Sequence, residues 1–181
     1  MKTKETKLKG CYIIEPMIFG DERGYFLESF NQERFNEAIG SNISFVQDNE
    51  SFSSKGVLRG LHYQRGEYAQ SKLVRVVKGR VLDVVVDIRK NSQTFGDHIS
   101  IELSEENKKQ IFVPKGFAHG FLVLSETAIF SYKCDNFYNK ESESGIIYND
   151  PTLNIDWKLK NSDFTVSEKD LVLPNFNSKL I

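Results

Sequence analysis

Short segments rich in Val, Ile and aromatic residues, separated by turn-forming residues, fill most of the chain from Phe45 onward. Typical separators are Lys78-Gly79, Pro114-Lys115-Gly116 and Asn149-Asp150-Pro151, and these residue types interrupt strands and form turns. Chains with this pattern bury their apolar surface in a sandwich or barrel of strands. The sequence therefore predicts an all-β fold.

The clearest strand signal lies between residues 73 and 88, where two apolar segments flank Lys78-Gly79. This pattern predicts a β-hairpin whose glycine accepts a positive φ. Further strands are predicted at residues 57–63, 99–103, 110–113, 118–124 and 128–134. Helix signals are confined to residues 31–38, before Gly40, and to a second helix start at Ser167. Many strands with little helix indicate a jelly-roll-like β-barrel.

Length and charge limit the classes of partner. A chain of 181 residues suits one domain, and no repeat or linker-like segment divides it. Because 24 Lys+Arg balance 25 Asp+Glu, we expect no nucleic-acid partner. The charged N-terminus and the absence of an apolar run of about 18 residues predict a cytoplasmic protein with no membrane partner. Cys11 and Cys134 are isolated, which argues against a disulfide.

Three proton-handling side chains share predicted strand faces with apolar residues, because side chains alternate across a strand. They are His62, Lys72 and Tyr132. Their neighbours on the same predicted faces are, in turn, Leu58 and Gln64, Val74 and Val76, and Phe130 and Cys134. A functional cavity would explain this placement, since an unpaired buried lysine is costly. Structural alternatives remain: a hydrogen-bonded core histidine, a lysine reaching the rim, and a tyrosine with its hydroxyl in water.

A metal site is not expected. Barrels of the cupin type usually carry an HxH pair, a carboxylate and a third histidine, but here the pair is replaced by His62-Tyr63-Gln64. Lys72 lies where the carboxylate is sought, and an ammonium cannot bind a cation. We therefore expect no metal and no other cofactor. Asp170, three residues after Ser167, is by spacing most simply part of a capping box.

Five segments make the sequence more specific: FGDERGYFLESF (19–30), QDNESFSSKGVLRGLHYQ (47–64), QSKLVRVVKGRVLDVVVDIR (70–89), VPKGFAHGFLVL (113–124) and YKCDNFY (132–138). Together they strongly resemble the dTDP-4-dehydrorhamnose 3,5-epimerase family. The resemblance extends from Gly10 to Pro174 and includes IDW (155–157) and SEKD (167–170). It implies a cofactor-free, cupin-type jelly-roll barrel that makes dTDP-4-dehydro-L-rhamnose for dTDP-L-rhamnose and cell-surface polysaccharide synthesis.

The resemblance also implies roles for individual residues. His62 corresponds to the general base, Asp170 to the carboxylate that orients it, Tyr132 to the acid on the opposite sugar face, and Lys72 to the group beside the C4 oxygen. The matches that imply binding of the dTDP-linked 4-keto-6-deoxyhexose are Phe19, Arg23, Phe26, Glu28, Gln47, Asn49, Arg59, His119, Tyr138, Glu143 and Lys169.

Members of this family are homodimers that exchange N-terminal strands. The resemblance therefore divides the single domain, residues 1–181, into an N-terminal arm contributing to the dimer (1–45), a barrel core (45–150) and a C-terminal segment with short helices (151–181). Arg59 falls on the opposite face from His62 if their strand alternates regularly. Either a β-bulge intervenes, or Arg59 serves the site of the neighbouring subunit.

Two other functions stay open. A 3,4-ketoisomerase, or an epimerase that acts at C3 or C5 alone, would use the same enolate chemistry. A non-catalytic module that binds nucleotide sugars would keep the cavity without the chemistry. The combination of His62, Lys72, Tyr132 and Asp170 disfavours the module, because binding needs no acid and base on opposite faces.

Overall fold

The computed structural model describes residues 1–176. The C-terminal segment was predicted at residues 151–181, and its last five residues, 177–181, lie outside the described part of the chain. The helices are α1 (Gln32–Ile39) and α2 (Glu168–Leu171). The strands are β1 (Lys2–Glu5), β2 (Tyr12–Glu15), β3 (Ile18–Asp21), β4 (Gly24–Leu27), β5 (Gln47–Ser54), β6 (Val57–Gln64), β7 (Lys72–Lys78), β8 (Arg80–Asp87), β9 (His98–Ser104), β10 (Gln110–Val113), β11 (Phe117–Val123), β12 (Thr127–Cys134), β13 (Glu143–Gly145) and β14 (Thr165–Val166).

Two sheets form the body of the molecule. The first has the order β1-β2-β10-β7-β12-β5 and the second the order β13-β6-β11-β8-β9, with β14 pairing parallel to β6. An apolar core that includes Val74, Phe130, Val85 and Phe121 takes residues from both sheets. The predicted all-β, cupin-type jelly roll is confirmed, and the predicted strands occur within one or two residues of their expected bounds.

The hairpin predicted between residues 73 and 88 is wrong. Although β7 and β8 flank Gly79, they belong to different sheets and do not pair with each other. The chain therefore crosses between the sheets at this point. Gly79 does adopt a positive φ of 76°. A Cβ there would lie 2.1 Å from the carbonyl oxygen of Thr127, so the crossing leaves no room for a side chain.

Helix α1 covers the outer face of the first sheet. Phe35 and Ile39 pack against Ile14, Leu73 and Phe112 in a second apolar cluster. The side chain of the N-cap residue, Asn31, accepts a hydrogen bond from the backbone of Arg34, and Gly40 ends the helix at a φ of 62°. The helix predicted before Gly40 is confirmed.

The C-terminal segment covers the outer face of the second sheet. Leu153 and Trp157 pack with Leu58 and Ile146 in a third apolar cluster. The buried carboxylate of Asp150 accepts hydrogen bonds from the backbone of Thr152, Leu153 and Phe176. These contacts place the segment against β6, and α2 follows near the end of it.

A bulge in β6 corrects one predicted face. His62 is opposite His119 on β11 and Arg59 is opposite Phe121, so three steps along β6 match two along β11. The extra residue turns Arg59 and His62 to the same face. Of the two alternatives left open for Arg59, the structure therefore has the β-bulge. Leu58 instead packs in the outer cluster with Leu61 and Tyr63, so the prediction that it shares a face with His62 is wrong.

Strands β3 and β4 form a separate two-stranded hairpin with an apolar surface. Phe19 and Phe26 are opposite each other in its register and are 57% and 70% exposed. Lys108 Nζ donates a hydrogen bond to the hydroxyl of Tyr25 at 2.7 Å, which fastens one side of the hairpin to the body. None of the helices in residues 1–176 combines the length and the hydropathy needed to cross a membrane.

Candidate active site

A cavity of about 510 Å³ opens between the two sheets. Its walls come from the first sheet through β5, β7 and β12, from the second through β6 and β11, and from α2 with the residues before it. The lining residues are Glu50, Ser51, Val57, Leu58, Arg59, His62, Lys72, His119, Gly120, Phe121, Phe130, Tyr132, Thr165, Val166, Ser167, Lys169 and Asp170.

His62 and Asp170 form a hydrogen-bonded pair in this cavity. His62 Nε2 lies 2.6 Å from Asp170 Oδ1. A carboxylate only accepts hydrogen bonds, so Nε2 carries the proton and the lone pair is on Nδ1. Burial alone would raise the pKa of Asp170, but the hydrogen bonds from His62 and from the backbone of Gly60 lower it below its usual range. The carboxylate therefore stays charged and can stabilise an imidazolium at His62.

Asp170 reaches His62 because of how α2 begins. Ser167 is the N-cap, and its hydroxyl accepts a hydrogen bond from the backbone of Asp170. The helix start predicted at Ser167 is confirmed. The capping box is only half formed, because the Asp170 carboxylate bonds to Gly60 and His62 instead of returning to the backbone of Ser167.

Lys72 projects into the cavity from the first sheet. Its Nζ lies 5.8 Å from the centroid of the Tyr132 ring. Within residues 1–176 its ammonium group has no hydrogen-bonded or ion-paired partner. Burial lowers the pKa of Lys72, while the nearby Cys134, Asp83 and Glu143 oppose that shift. The cavity thus holds a cationic donor that is free to bind an oxygen of a ligand.

Tyr132 is a neighbour of Lys72 on the first sheet. Burial raises the pKa of its phenol, so the hydroxyl keeps its proton at neutral pH and can act as an acid. His62 projects from β6 in the second sheet, whereas Tyr132 projects from β12 in the first. A planar group bound between the sheets would therefore have His62 on one face and Tyr132 on the other.

Arg59 and His119 are also in the cavity, each held by a buried polar residue. Arg59 Nε donates to the hydroxyl of Ser53 at 3.2 Å, and its terminal guanidinium nitrogens have no hydrogen-bond partner within residues 1–176. His119 Nε2 lies 3.0 and 2.9 Å from the two carboxylate oxygens of Asp83.

A polar cluster at the edge of the cavity joins five more of the predicted binding residues. Glu143 accepts hydrogen bonds from the hydroxyl of Tyr138, at 2.9 Å, and from Lys169. Burial alone would raise the pKa of Glu143, but these two donors lower it. Gln47 accepts from the backbone of Tyr138, and its amide donates to the side chain of Asn49 at 3.0 Å.

The other predicted binding residues lie outside the cavity of this chain. Phe19, Arg23 and Phe26 belong to the β3–β4 hairpin and line a separate concavity there. Arg23 is bound to Asp21 through Nη2 at 2.5 Å. Glu28 follows the hairpin and pairs with Arg34 of α1 at 3.0 Å.

Three functional candidates were missed by reasoning from the sequence. Ser51 and Ser53 follow Gln47 and Asn49 at every second position of β5, so strand alternation could have identified them. Asp83 interrupts the apolar run of β8, and a carboxylate between apolar residues in the middle of a buried strand was a signal in itself. Within the described part of the chain, no group of three or more His, Cys, Asp or Glu side chains is placed to hold a metal ion.

Fold and site together define a class: a jelly-roll protein whose cavity holds a hydrogen-bonded His–Asp pair at one sheet and a Tyr hydroxyl at the other, an arrangement that suits an epimerase. The model of the dTDP-4-dehydrorhamnose 3,5-epimerase family matches residues 5–178. The chain belongs to this family.

Individual relatives agree. The dTDP-4-dehydrorhamnose 3,5-epimerase of Shigella flexneri is 55% identical over 171 residues, covering 94% of this chain and 93% of that protein. The crystal structure of the Elizabethkingia anophelis NUHP1 enzyme of the same name is 61% identical with a TM-score of 0.94, covering 97% and 96%. The structure of a dTDP-6-deoxy-D-glucose-3,5-epimerase from Legionella pneumophila Philadelphia 1, in complex with dTDP-4-keto-L-rhamnose, is 50% identical with a TM-score of 0.90, covering 97% and 98%.

Proposed function

We propose that this protein converts dTDP-4-dehydro-6-deoxy-D-glucose to dTDP-4-dehydro-L-rhamnose, with His62, Asp170, Lys72 and Tyr132 as the catalytic residues. The observation that carries the proposal is the placement of the His62 base and the Tyr132 acid on opposing sheets of one cavity. Inversion at a carbon requires removal of a proton from one face and delivery of another from the opposite face.

His62 takes the proton in the first step. The C–H bonds at C3 and C5 are acidic because each is adjacent to the C4 ketone, so the carbanion is delocalised as an enolate. Nδ1 of His62 accepts the proton, while Asp170 holds Nε2–H and stabilises the imidazolium that forms. The same base serves both carbons if the sugar shifts between the two steps.

Lys72 stabilises the enolate. Its ammonium group has no partner among the described side chains, so it can bind the C4 oxygen as negative charge develops there. Loss of one such donor typically costs about 3 to 4 kcal/mol of transition-state stabilisation. Tyr132 then delivers its phenolic proton to the far face of the carbon, and solvent restores the protonation states of Tyr132 and His62.

The nucleotide diphosphate occupies the outer part of the cavity. Arg59, held by Ser53 with its terminal nitrogens free, suits diphosphate oxygens. His119, Gln47, Asn49, Glu143 and Lys169 supply further polar contacts to the substrate. Tyr138, which is 55% exposed near this group, offers a face on which the thymine ring can stack.

Phe19, Arg23, Phe26 and Glu28 act in the cavity of a second subunit. In their own chain they lie on or beside a hairpin with exposed aromatic residues, away from His62. A homodimer in which N-terminal strands are exchanged would bury this surface and bring Arg23 to the partner's substrate. We place the reaction in the cytoplasm, where nucleotide sugars are made.

The proposed function is tested by incubating the purified protein with dTDP-4-keto-6-deoxyglucose in D₂O and following both carbons by NMR. Deuterium at C3 and C5 with inverted configuration at each is expected. Deuterium at one carbon would identify a single-site epimerase. Migration of the ketone would identify a 3,4-ketoisomerase, and the absence of any exchange would identify a binding module. Treatment with EDTA should leave the rate unchanged, and a loss that Zn²⁺ restores would contradict catalysis without a metal.

A further inference from the structure

Asp83 is a buried carboxylate that the proposed proton transfers do not use. It lies in the middle of β8, between Leu82 and Val84, and is 0% exposed. Two residues away on either side, Val81 and Val85 contribute to the apolar core between the sheets. Because alternate residues of a strand share a face, Asp83 also points into that core.

A carboxylate in this position is costly unless it is fully paired. An apolar residue would fill the space without that cost, as Val81 and Val85 do. Both oxygens of Asp83 accept from a single atom, His119 Nε2, at 3.0 and 2.9 Å. No other side-chain hydrogen bond to Asp83 occurs within residues 1–176, so the Asp83 carboxylate acts on His119.

The pairing decides which nitrogen of His119 faces the cavity. Since a carboxylate cannot donate, Nε2 must carry a proton. In the described part of the chain, Nδ1 of His119 has no hydrogen-bond partner, yet no buried side-chain nitrogen or oxygen lacks one. Nδ1 is therefore not sealed in the core, and it is accessible from the cavity that His119 lines.

We propose that Asp83 is a positioning residue, which holds the His119 ring in one orientation, with its proton on Nε2, so that Nδ1 is presented to the bound nucleotide sugar. The role of His119 toward substrate rests on the proposed function, whereas its orientation by Asp83 does not. The same carboxylate is near Lys72: burial lowers the pKa of Lys72, and the charge of Asp83 is among those that oppose the shift. One buried charge thus supports two groups of the cavity.

The test compares wild type with Asp83→Asn by ¹⁵N NMR of the histidine rings and by steady-state kinetics. With three histidines in the chain, the spectrum can be assigned by single substitutions. In wild type we expect Nε2 of His119 to be protonated at every pH at which the protein is folded. An Asn side chain can offer Nε2 either an oxygen or an NH₂ group, so the ¹⁵N shifts of His119 should change. A loss in kcat/KM of about tenfold to hundredfold is expected, by analogy with carboxylates that orient metal-binding histidines.

Asp87→Asn is the matched control. Asp87 is also 0% exposed and also on β8, but its partners are Arg89, Ser92 and Thr94. Hydrogen bonds from these three residues lower the pKa of Asp87 to about 2, although burial alone would raise it. The control should therefore lose stability while keeping the His119 ¹⁵N shifts and the wild-type kcat/KM.

Unchanged His119 shifts and kcat/KM in Asp83→Asn would overturn the proposal, as would equal effects of Asp87→Asn. If Asp83→Asn does not fold, wild type alone decides, because a populated Nδ1–H, Nε2-unprotonated tautomer of His119 contradicts the proposal. Wild type that turns over no nucleotide 4-keto sugar would contradict the proposed function. If Asp83→Asn still changes the ¹⁵N shifts of His119 in that case, the positioning role of Asp83 is supported independently.

Discussion

His62 and His119 are opposite each other on adjacent strands, and each is bound through Nε2 to an aspartate. Their surroundings differ. The side chain of His62 is 28% exposed, whereas that of His119 is 6% exposed. His62 therefore has the access to substrate and solvent that a proton-transferring base needs, and His119 is better suited to a fixed contact.

His62→Ala should abolish proton exchange at both C3 and C5, because one imidazole serves both carbons in our account. A loss of at least about 10²- to 10⁴-fold is expected for removal of a general base. Deuterium uptake measured by NMR tests this, with dTDP affinity from calorimetry expected to stay near wild type. His98→Ala, on β9 and outside the cavity, is the control. Substantial exchange in His62→Ala would remove His62 from its role.

The alkaline limb of the pH–rate profile should come from Lys72. Burial moves the two candidate groups in opposite directions, lowering the pKa of Lys72 and raising that of Tyr132. The active form has both groups protonated, so kcat should fall as pH rises through the lowered pKa of Lys72. In Tyr132→Phe the limb should stay where it is in the residual exchange reaction, whereas Lys72→Arg should move it upward. A limb that disappears in Tyr132→Phe would assign it to the phenol instead.

Strand β6 shows at the level of the element how a site is assembled. Its bulge brings Arg59 and His62 to one face, and Gly60 makes this possible by approaching β11 closely. A Cβ on Gly60 would lie 2.6 Å from Gly120 Cα and 2.8 Å from the carbonyl oxygen of His119. The close contact between the strands therefore depends on the two glycines.

Gly60→Ala should destabilise the fold and disturb the site far more than Gly24→Ala does. Both glycines have positive φ, 122° and 131°, but a Cβ on Gly24 would meet nothing within 4 Å. The pair separates crowding from backbone conformation, whose cost alone is about 1 to 3 kcal/mol. Thermal or urea unfolding measures the difference. Equal losses of stability would show that the contact between β6 and β11 is not tight.

Elements could be predicted from the sequence more readily than their partners. The strands and α1 follow from local patterns, because apolar periodicity, Asn31 and Gly40 act over a few residues. The crossing at Gly79 could not be predicted, since a glycine turn between two strands suits a hairpin or a change of sheet equally. The bulge in β6 was one of two alternatives for Arg59, and the sequence could not decide between them because the bulge arises from contact with β11. Alternation therefore placed Lys72 and Tyr132 correctly but put Leu58 on the wrong face.

The candidate site was accessible from the sequence mainly through resemblance to a family. The spacing of Asp170 from Ser167 predicted only a helix-capping residue. Its hydrogen bond to His62 depends on the packing of α2 against β6, which local sequence does not show. At the scale of the whole molecule, the structure of one chain separates Arg23 from His62, although both belong to the expected set. This separation is what a site shared between two subunits would produce.

A mixture of inactive variants tests the shared site. If Arg23 acts in the partner's cavity, then His62→Ala and Arg23→Ala homodimers are each impaired, but a heterodimer contains one site with both residues intact. Random mixing should restore about a quarter of the wild-type sites. The two variants must be unfolded and refolded together so that their subunits mix. Arg23→Ala mixed with Tyr132→Phe is a second pair that should recover activity for the same reason. His62→Ala mixed with Tyr132→Phe is the control that should not complement, because both residues lie in one cavity. No recovery in the first two mixtures would place Arg23 outside the site.

In the proposed mechanism, His62 and Tyr132 act on opposite faces of one sugar. This placement is tested by incubating Tyr132→Phe with dTDP-4-keto-6-deoxyglucose in D₂O and reading deuterium content and configuration at C3 and C5 by NMR. His62 should still exchange the protons, so we expect deuterium to enter with retained configuration while inversion is lost. Inversion at a rate close to wild type, or loss of exchange and inversion in equal measure, would contradict it.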